Sequence, residues 1–167
     1  MKKKIVSLIF VCIVALMLPV MAFAAPEVVK KGYCGIDIDN LSWVLTDDGV
    51  LTISGSGGMF NFTRPIPSWT SLKDDMVTVV IEDGVTSIGE AAFKNCSSLT
   101  DVTIPDSVTE IGDLAFCGCE SLVKINIPEG LKKIGDQAFY HCNSLTEIRL
   151  PESLEEMGES CFCGCSL

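Results

Sequence analysis

Basic residues are scarce in this chain. Twelve lysines and arginines stand against 22 acids, giving a formal net charge of -10. A phosphate backbone selects for basic surfaces, so this balance excludes nucleic acid as a partner. Histidine is nearly absent: His141 is the only one. A general base needs a positioned partner, and the sequence supplies none. The acids show no EF-type or GGxGxD spacing of the kind that converges oxygens on calcium. No segment beyond the first two dozen residues is long enough for an independent helix or a membrane span. No sorting motif or wall-binding repeat follows either.

What is present begins with a leader. Met1 is followed by Lys2, Lys3 and Lys4, then by an apolar run from Ile5 to Phe23. Ala22-Phe23-Ala24 is a small-x-small cleavage signal. The cut is placed after Ala24, because one residue later Pro26 would flank the scissile bond. Residues 1–24 are therefore read as a signal peptide of bacterial type, and the mature chain as secreted or at the cell surface with no membrane span. Its removal takes three lysines and no acid, so the mature chain is more acidic still. Export also permits disulfides. Nine cysteines are present; Cys12 leaves with the leader, and no small-residue box precedes it to direct lipidation.

A repeat organises residues 76–167. Phe93, Phe116, Phe139 and Phe162 are 23 residues apart, and so are Cys96, Cys119, Cys142 and Cys165. Gly89, Gly112, Gly135 and Gly158 keep the same step. So do Ile81, Ile104, Ile127 and Leu150, and Ile88, Ile111, Ile134 and Met157. A fixed period of this length means stacked units, each too small to bury its apolar face alone. One unit reads LTDVTIPDSVTEIGDLAFCGCES, from Leu99 to Ser121. Val102 and Ile104 alternate with Asp101 and Thr103, the period of a half-buried strand. Pro105 ends ladder donation. Val108 and Ile111 form a second apolar pair, Gly112 reads as a turn, and Asp113–Phe116 as one short helical turn with Asp113 near its start. Stacking is expected to put Val79, Val102, Ile125 and Ile148 in one column.

Residues 33–75 do not repeat. Leu41, Trp43 and Leu45, then Leu51 and Ile53, alternate around Asp48-Gly49, a strong hairpin signal. This hairpin is expected to cover the first unit and protect a sheet edge. Residues 25–32 read as a short disordered lead.

The pattern LxxVxIPxxVxxIGxxAFxxCxx resembles the BspA-type (Treponema-type) leucine-rich repeat of bacterial surface proteins. Cys34-Gly35, the hairpin and Leu51-Thr52-Ile53-Ser54-Gly55 are similar to the stretch that often precedes such repeats. The resemblance implies an α/β to mostly β fold: a right-handed leucine-rich repeat solenoid of about four coils with an N-terminal β-hairpin cap. It also implies secretion and a binding role. Ser107, Gly130 and Ser153 stand where the general leucine-rich consensus wants Asn or Cys, so no asparagine ladder is expected.

The cysteines look like a cluster in the final CFCGCSL but occupy three kinds of slot. Cys96, Cys119, Cys142 and Cys165 form one column, read as small buried residues with reduced thiols. Side chains in one column run parallel, which suits neither a tetrahedral metal site nor disulfide dihedrals. Cys161 replaces an alanine and is expected to be buried. Cys117 and Cys163 share a varied slot and are expected to be exposed, the reactive candidates. No disulfide, metal, catalytic residue or cofactor is expected. His141 reads as a surface loop residue, and Asp106, Glu129 and Glu152 as solvated corners. Three glycosylation sequons, at Asn40, Asn61 and Asn95, are read as coincidental.

The outward strand positions are Thr78, Val80, Asp101, Thr103, Lys124, Asn126, Glu147 and Arg149. The resemblance places them on a concave sheet where ligands dock. Asp101, Thr103, Lys124, Asn126, Glu147 and Arg149 are the candidate binding residues, for an extracellular protein or glycan. The alternative is a structural role: a self-associating chain, or a truncated piece of a larger surface protein, joined through an uncapped last coil.

Overall fold

A computed structural model of the chain describes residues 24–37, 40–62 and 67–167. The expected leader lies outside the described residues except for Ala24. Eleven short strands follow one another: β1 (Val28–Tyr33), β2 (Leu41–Thr46), β3 (Val50–Gly55), β4 (Gly57–Gly58), β5 (Thr78–Ile81), β6 (Val85–Ile88), β7 (Asp101–Thr103), β8 (Glu110–Ile111), β9 (Lys124–Ile125), β10 (Lys133–Ile134) and β11 (Glu156–Met157). They form a six-stranded sheet, β1-β2-β3-β5-β7-β9, and a five-stranded one, β11-β10-β8-β6-β4. The sequence period is the sheet register. Thr78 pairs with Asp101 and Asp101 with Lys124, while Ser87, Glu110, Lys133 and Glu156 pair in turn across the second sheet.

The hairpin forms where expected. β2 and β3 run antiparallel, with Trp43 opposite Ile53, and Gly49 takes the positive φ of 81° that the tight turn needs. β3 then pairs in parallel with β5, Ile53 beside Ile81, so the non-repeating segment joins the repeat sheet directly. Residues 25–32 correct the reading of a disordered lead. Val28 to Tyr33 are an edge strand antiparallel to β2. Their sequence, VVKKGY, carries no clean alternation because most of the strand faces water.

The expected helical turn at Asp113–Phe116 is also corrected. Leu114 has φ 56°, and its counterparts Ala91, Gln137 and Ser160 have 55°, 53° and 53°. The alternation of hand turns every second amide outward to the next repeat, Ala91 N–H donating to Asp113 O at 2.9 Å and Phe93 N–H to Ala115 O at 2.8 Å, while Lys94 N–H stays within its own repeat, on Ala91 O at 3.2 Å. Asp113 does not cap its own turn. Its Oδ1 accepts from Asp136 N–H at 2.8 Å, one repeat on.

An aromatic stack crosses the core. Phe93, Phe116, Phe139 and Phe162 lie nearly parallel, with ring centroids 5.2–5.4 Å apart. Trp69 continues the stack at 5.8 Å, and Trp43 meets it edge-on at 5.6 Å. The two geometries are those the ring quadrupole favours. The repeat glycines serve the same closeness. A Cβ on Gly112 would sit 2.7 Å from Glu90 N, and one on Gly135 2.5 Å from Asp113 N. None of Gly89, Gly112, Gly135 and Gly158 has a positive φ, so tight contact between repeats, not the turn read from the sequence, requires them. Burial fades toward the last repeat. Val79, Val102 and Ile125 are buried, whereas Ile148 is only partly so, and Leu150 is 40% exposed. These late residues have a repeat on one side alone.

Candidate binding face

The outward face of the six-stranded sheet starts from strand alternation. In β7, Asp101 and Thr103 face water while Val102 is buried. Register then aligns the rows. Thr78, Asp101 and Lys124 lie side by side, and a single bridge carries the row to Glu147. Val80 lies beside Thr103. Asp101, Thr103, Lys124 and Asn126 share a shallow hollow of about 240 Å³. Asn126 and Arg149 line a second, of about 340 Å³, together with Asp106 and Glu129. All six candidate residues are exposed, and the structure brings them onto one surface.

Charge alternates along the row Asp101, Lys124, Glu147, yet none of these three forms an ion pair among the described residues. The ion pairs lie by the second sheet instead: Lys133 with Glu110 at 3.2 Å and Lys132 with Glu155 at 3.6 Å. The Glu110 carboxylate accepts a hydrogen bond from Lys133 and holds its ammonium above the usual lysine range. The side chains facing outward from the first sheet are left with their charges available.

The sequence reading missed the continuation of this face across the hairpin. Lys31, Val44 and Thr52 extend the Val80–Thr103 row, while Tyr33, Ser42 and Ser54 form another. The Ser42 and Ser54 hydroxyls meet at 3.2 Å. The alternation of Leu41, Trp43 and Leu45 implied outward Ser42 and Val44. Nothing in VVKKGY signalled a strand.

The column thiols act as donors. Cys119 Sγ–H bonds Phe93 O, Cys142 bonds Phe116 O, and Cys165 bonds Phe139 O, each at 3.2 Å and each reaching back to the preceding repeat. Burial pushes Cys96 and Cys142 up to about 12 and Cys161 to about 11. Cys119 moves well up for the same reason. A nucleophile or metal ligand must be a thiolate, and these sites oppose one. Cys161 is buried in its alanine slot. Cys117 corrects the expectation of exposure: it is 9% exposed, whereas Cys163 lies open to solvent. Cys117 is sandwiched by repeats on both sides, while Cys163, in the same slot of the last repeat, has one neighbour. His141 is exposed in a left-handed turn, φ 57°, its N–H donating to Cys163 O at 2.9 Å.

Parallel strands stacked at one register, with apolar positions inward and varied polar positions outward, are the arrangement of a protein built from stacked repeats. Comparison with known proteins narrows this. The description "BspA type Leucine rich repeat region" matches residues 70–167 in six copies. A leucine-rich repeat protein from Eubacterium ventriosum is 35% identical, with a TM-score of 0.70, over 82% of this chain and 36% of that one. The leucine-rich repeat protein of T. pallidum is 29% identical, with a TM-score of 0.56, over 74% of this chain and 64% of that one. A leucine-rich cell surface protein of Faecalibacterium prausnitzii is 25% identical, with a TM-score of 0.55, over 83% of this chain and 40% of that one. The chain thus spans little more than a third of the length of the Eubacterium protein. A search of curated proteins finds no match. This chain belongs to the BspA-type leucine-rich repeat family.

Proposed function

We propose that this chain is an exported, non-enzymatic binding module, associated with the cell surface, that recognises a protein or glycan through the outward face of its six-stranded sheet. The observation that carries this is the row of exposed, unpaired side chains in register: Asp101, Lys124 and Glu147, with Thr103, Asn126 and Arg149 beside them. In this reading residues 25–75 act as the cap and residues 76–167 as a right-handed solenoid. The reading rests also on the cell-surface relative and on thiols held protonated by burial. The test is binding of the purified chain to arrays of glycans and extracellular proteins. Replacing Lys124, Asn126, Glu147 and Arg149 together with alanine should weaken every confirmed hit by about tenfold or more, as loss of a binding centre does. Unchanged binding to all hits would sink the proposal.

A second reading is self-association. Leu150, Met157 and Leu167 are 40%, 56% and 58% exposed in the last repeat, and apolar surface of this kind recruits a partner. Light scattering that shows mass rising with concentration supports it; a monomer at every concentration refutes it.

A further inference from the structure

Among the described residues, β1 is an outer edge of the six-stranded sheet, with no strand beyond it. In this antiparallel pair, Cys34 N–H donates to Leu41 O at 3.0 Å, which makes the neighbouring Tyr33–Ser42 pair the non-hydrogen-bonded kind. By the same alternation the amides and carbonyls of both Lys31 and Tyr33 point away from β2, toward solvent. Val28 and Val29 are 58% and 56% exposed there, and Tyr33 is 62% exposed. The strand is bulged between Val28 and Lys30. Lys30 and Lys31 point to opposite faces of the sheet, and neither forms an ion pair among the described residues.

We propose that this edge docks an extended acidic segment of another protein, which adds as a seventh strand beside β1. Main-chain bonds to Lys31 and Tyr33 hold the segment, and acids on it meet Lys30 and Lys31. Charge chooses this occupant over a second copy of the chain. Two copies paired edge to edge would gather four lysine ammonium groups along one seam, and like charges across a strand pair oppose it. Edge lysines and bulges ordinarily keep an edge unpaired. Here they stand among three exposed apolar side chains that a blocked edge has no use for. Once docked, the segment extends the outward rows that begin at Tyr33 and Lys31, so the site is separate from the Lys124–Arg149 end of the face.

The test is fluorescence anisotropy with a labelled short peptide of valine and threonine around two adjacent glutamates. The protein is the chain as purified from an exporting host. Binding is expected to weaken by about tenfold or more in Lys30→Glu/Lys31→Glu. The same variant should gain affinity for the peptide carrying lysines in place of the glutamates. A peptide with proline at the central position, lacking the needed N–H, should not bind. Lys124→Glu/Arg149→Glu should leave binding of the acidic peptide unchanged, so failure here and failure of the sheet-face reading are distinguishable. No binding of the acidic peptide, equal binding by wild type and the Lys30/Lys31 variant, or loss only in the Lys124/Arg149 variant would each overturn the proposal.

Discussion

Phe116 is one ring in a stack, buried completely, with parallel neighbours 5.2 and 5.4 Å away. Phe116→Ala should cost about 3–5 kcal/mol, measured by urea unfolding, because neither neighbour can collapse into the gap without breaking its own stack. The thiols give a residue-scale pH prediction. Burial raises Cys34, Cys96 and Cys142 from an ordinary 9.0 to about 12. The folded state thus holds its protons longer than the unfolded chain. Stability from these groups is complete below pH 9 and is lost as pH climbs toward 12, so melting temperature should fall across that window. Below it, iodoacetamide should label the exposed Cys163 and spare the buried Cys34, Cys96, Cys119 and Cys142 until the protein unfolds. Rapid native labelling of Cys119 or Cys142 would contradict the buried donor role.

At the scale of the element, the interest lies in what the repeat units share. The strand in each unit follows from two alternating apolar residues, so β7 was legible from Val102 and Ile104. The segment at Asp113–Phe116 was not. Its spacing suits a helical turn, and only the next repeat, supplying carbonyls to Leu114 and Phe116 at 2.9 and 2.8 Å, makes the other conformation better. The glycines were legible as a column but not for the right reason. Gly112→Ala would drive a methyl against the Glu90 amide. It should destabilise by roughly 2–4 kcal/mol, in the upper range for a single substitution, while an alanine at the exposed Asp106 should be neutral. Equal melting temperatures for the two variants would mean that the repeats separate more easily than their backbone spacing implies.

For the whole molecule, the hairpin and the repeats share one sheet and one aromatic stack. Trp69 joins them: it stacks on Phe93, meets Trp43 edge-on, and donates its indole N–H to Ala92 O at 2.9 Å. Trp69→Ala should therefore cost about 3–5 kcal/mol. It should also separate the unfolding of residues 25–75 from that of the repeats. Trp43 fluorescence and far-UV circular dichroism should coincide in the wild type and report different midpoints in the variant. Coincident curves in the variant would place the coupling in the β3–β5 backbone ladder instead.

The sequence alone determined the period, the inward and outward positions of the repeat strands, the hairpin and the family, because each depends on spacing along the chain. It also brought Asp101, Thr103, Lys124, Asn126, Glu147 and Arg149 together as one candidate face. Only the tertiary structure decided that Val28 to Tyr33 are a strand, that Cys117 is covered while Cys163 is not, and that each turn bonds its neighbour. Those outcomes depend on what the adjacent layer offers: an unpaired β2 edge, a repeat on the far side, a carbonyl within reach. No residue carries that information in its own identity.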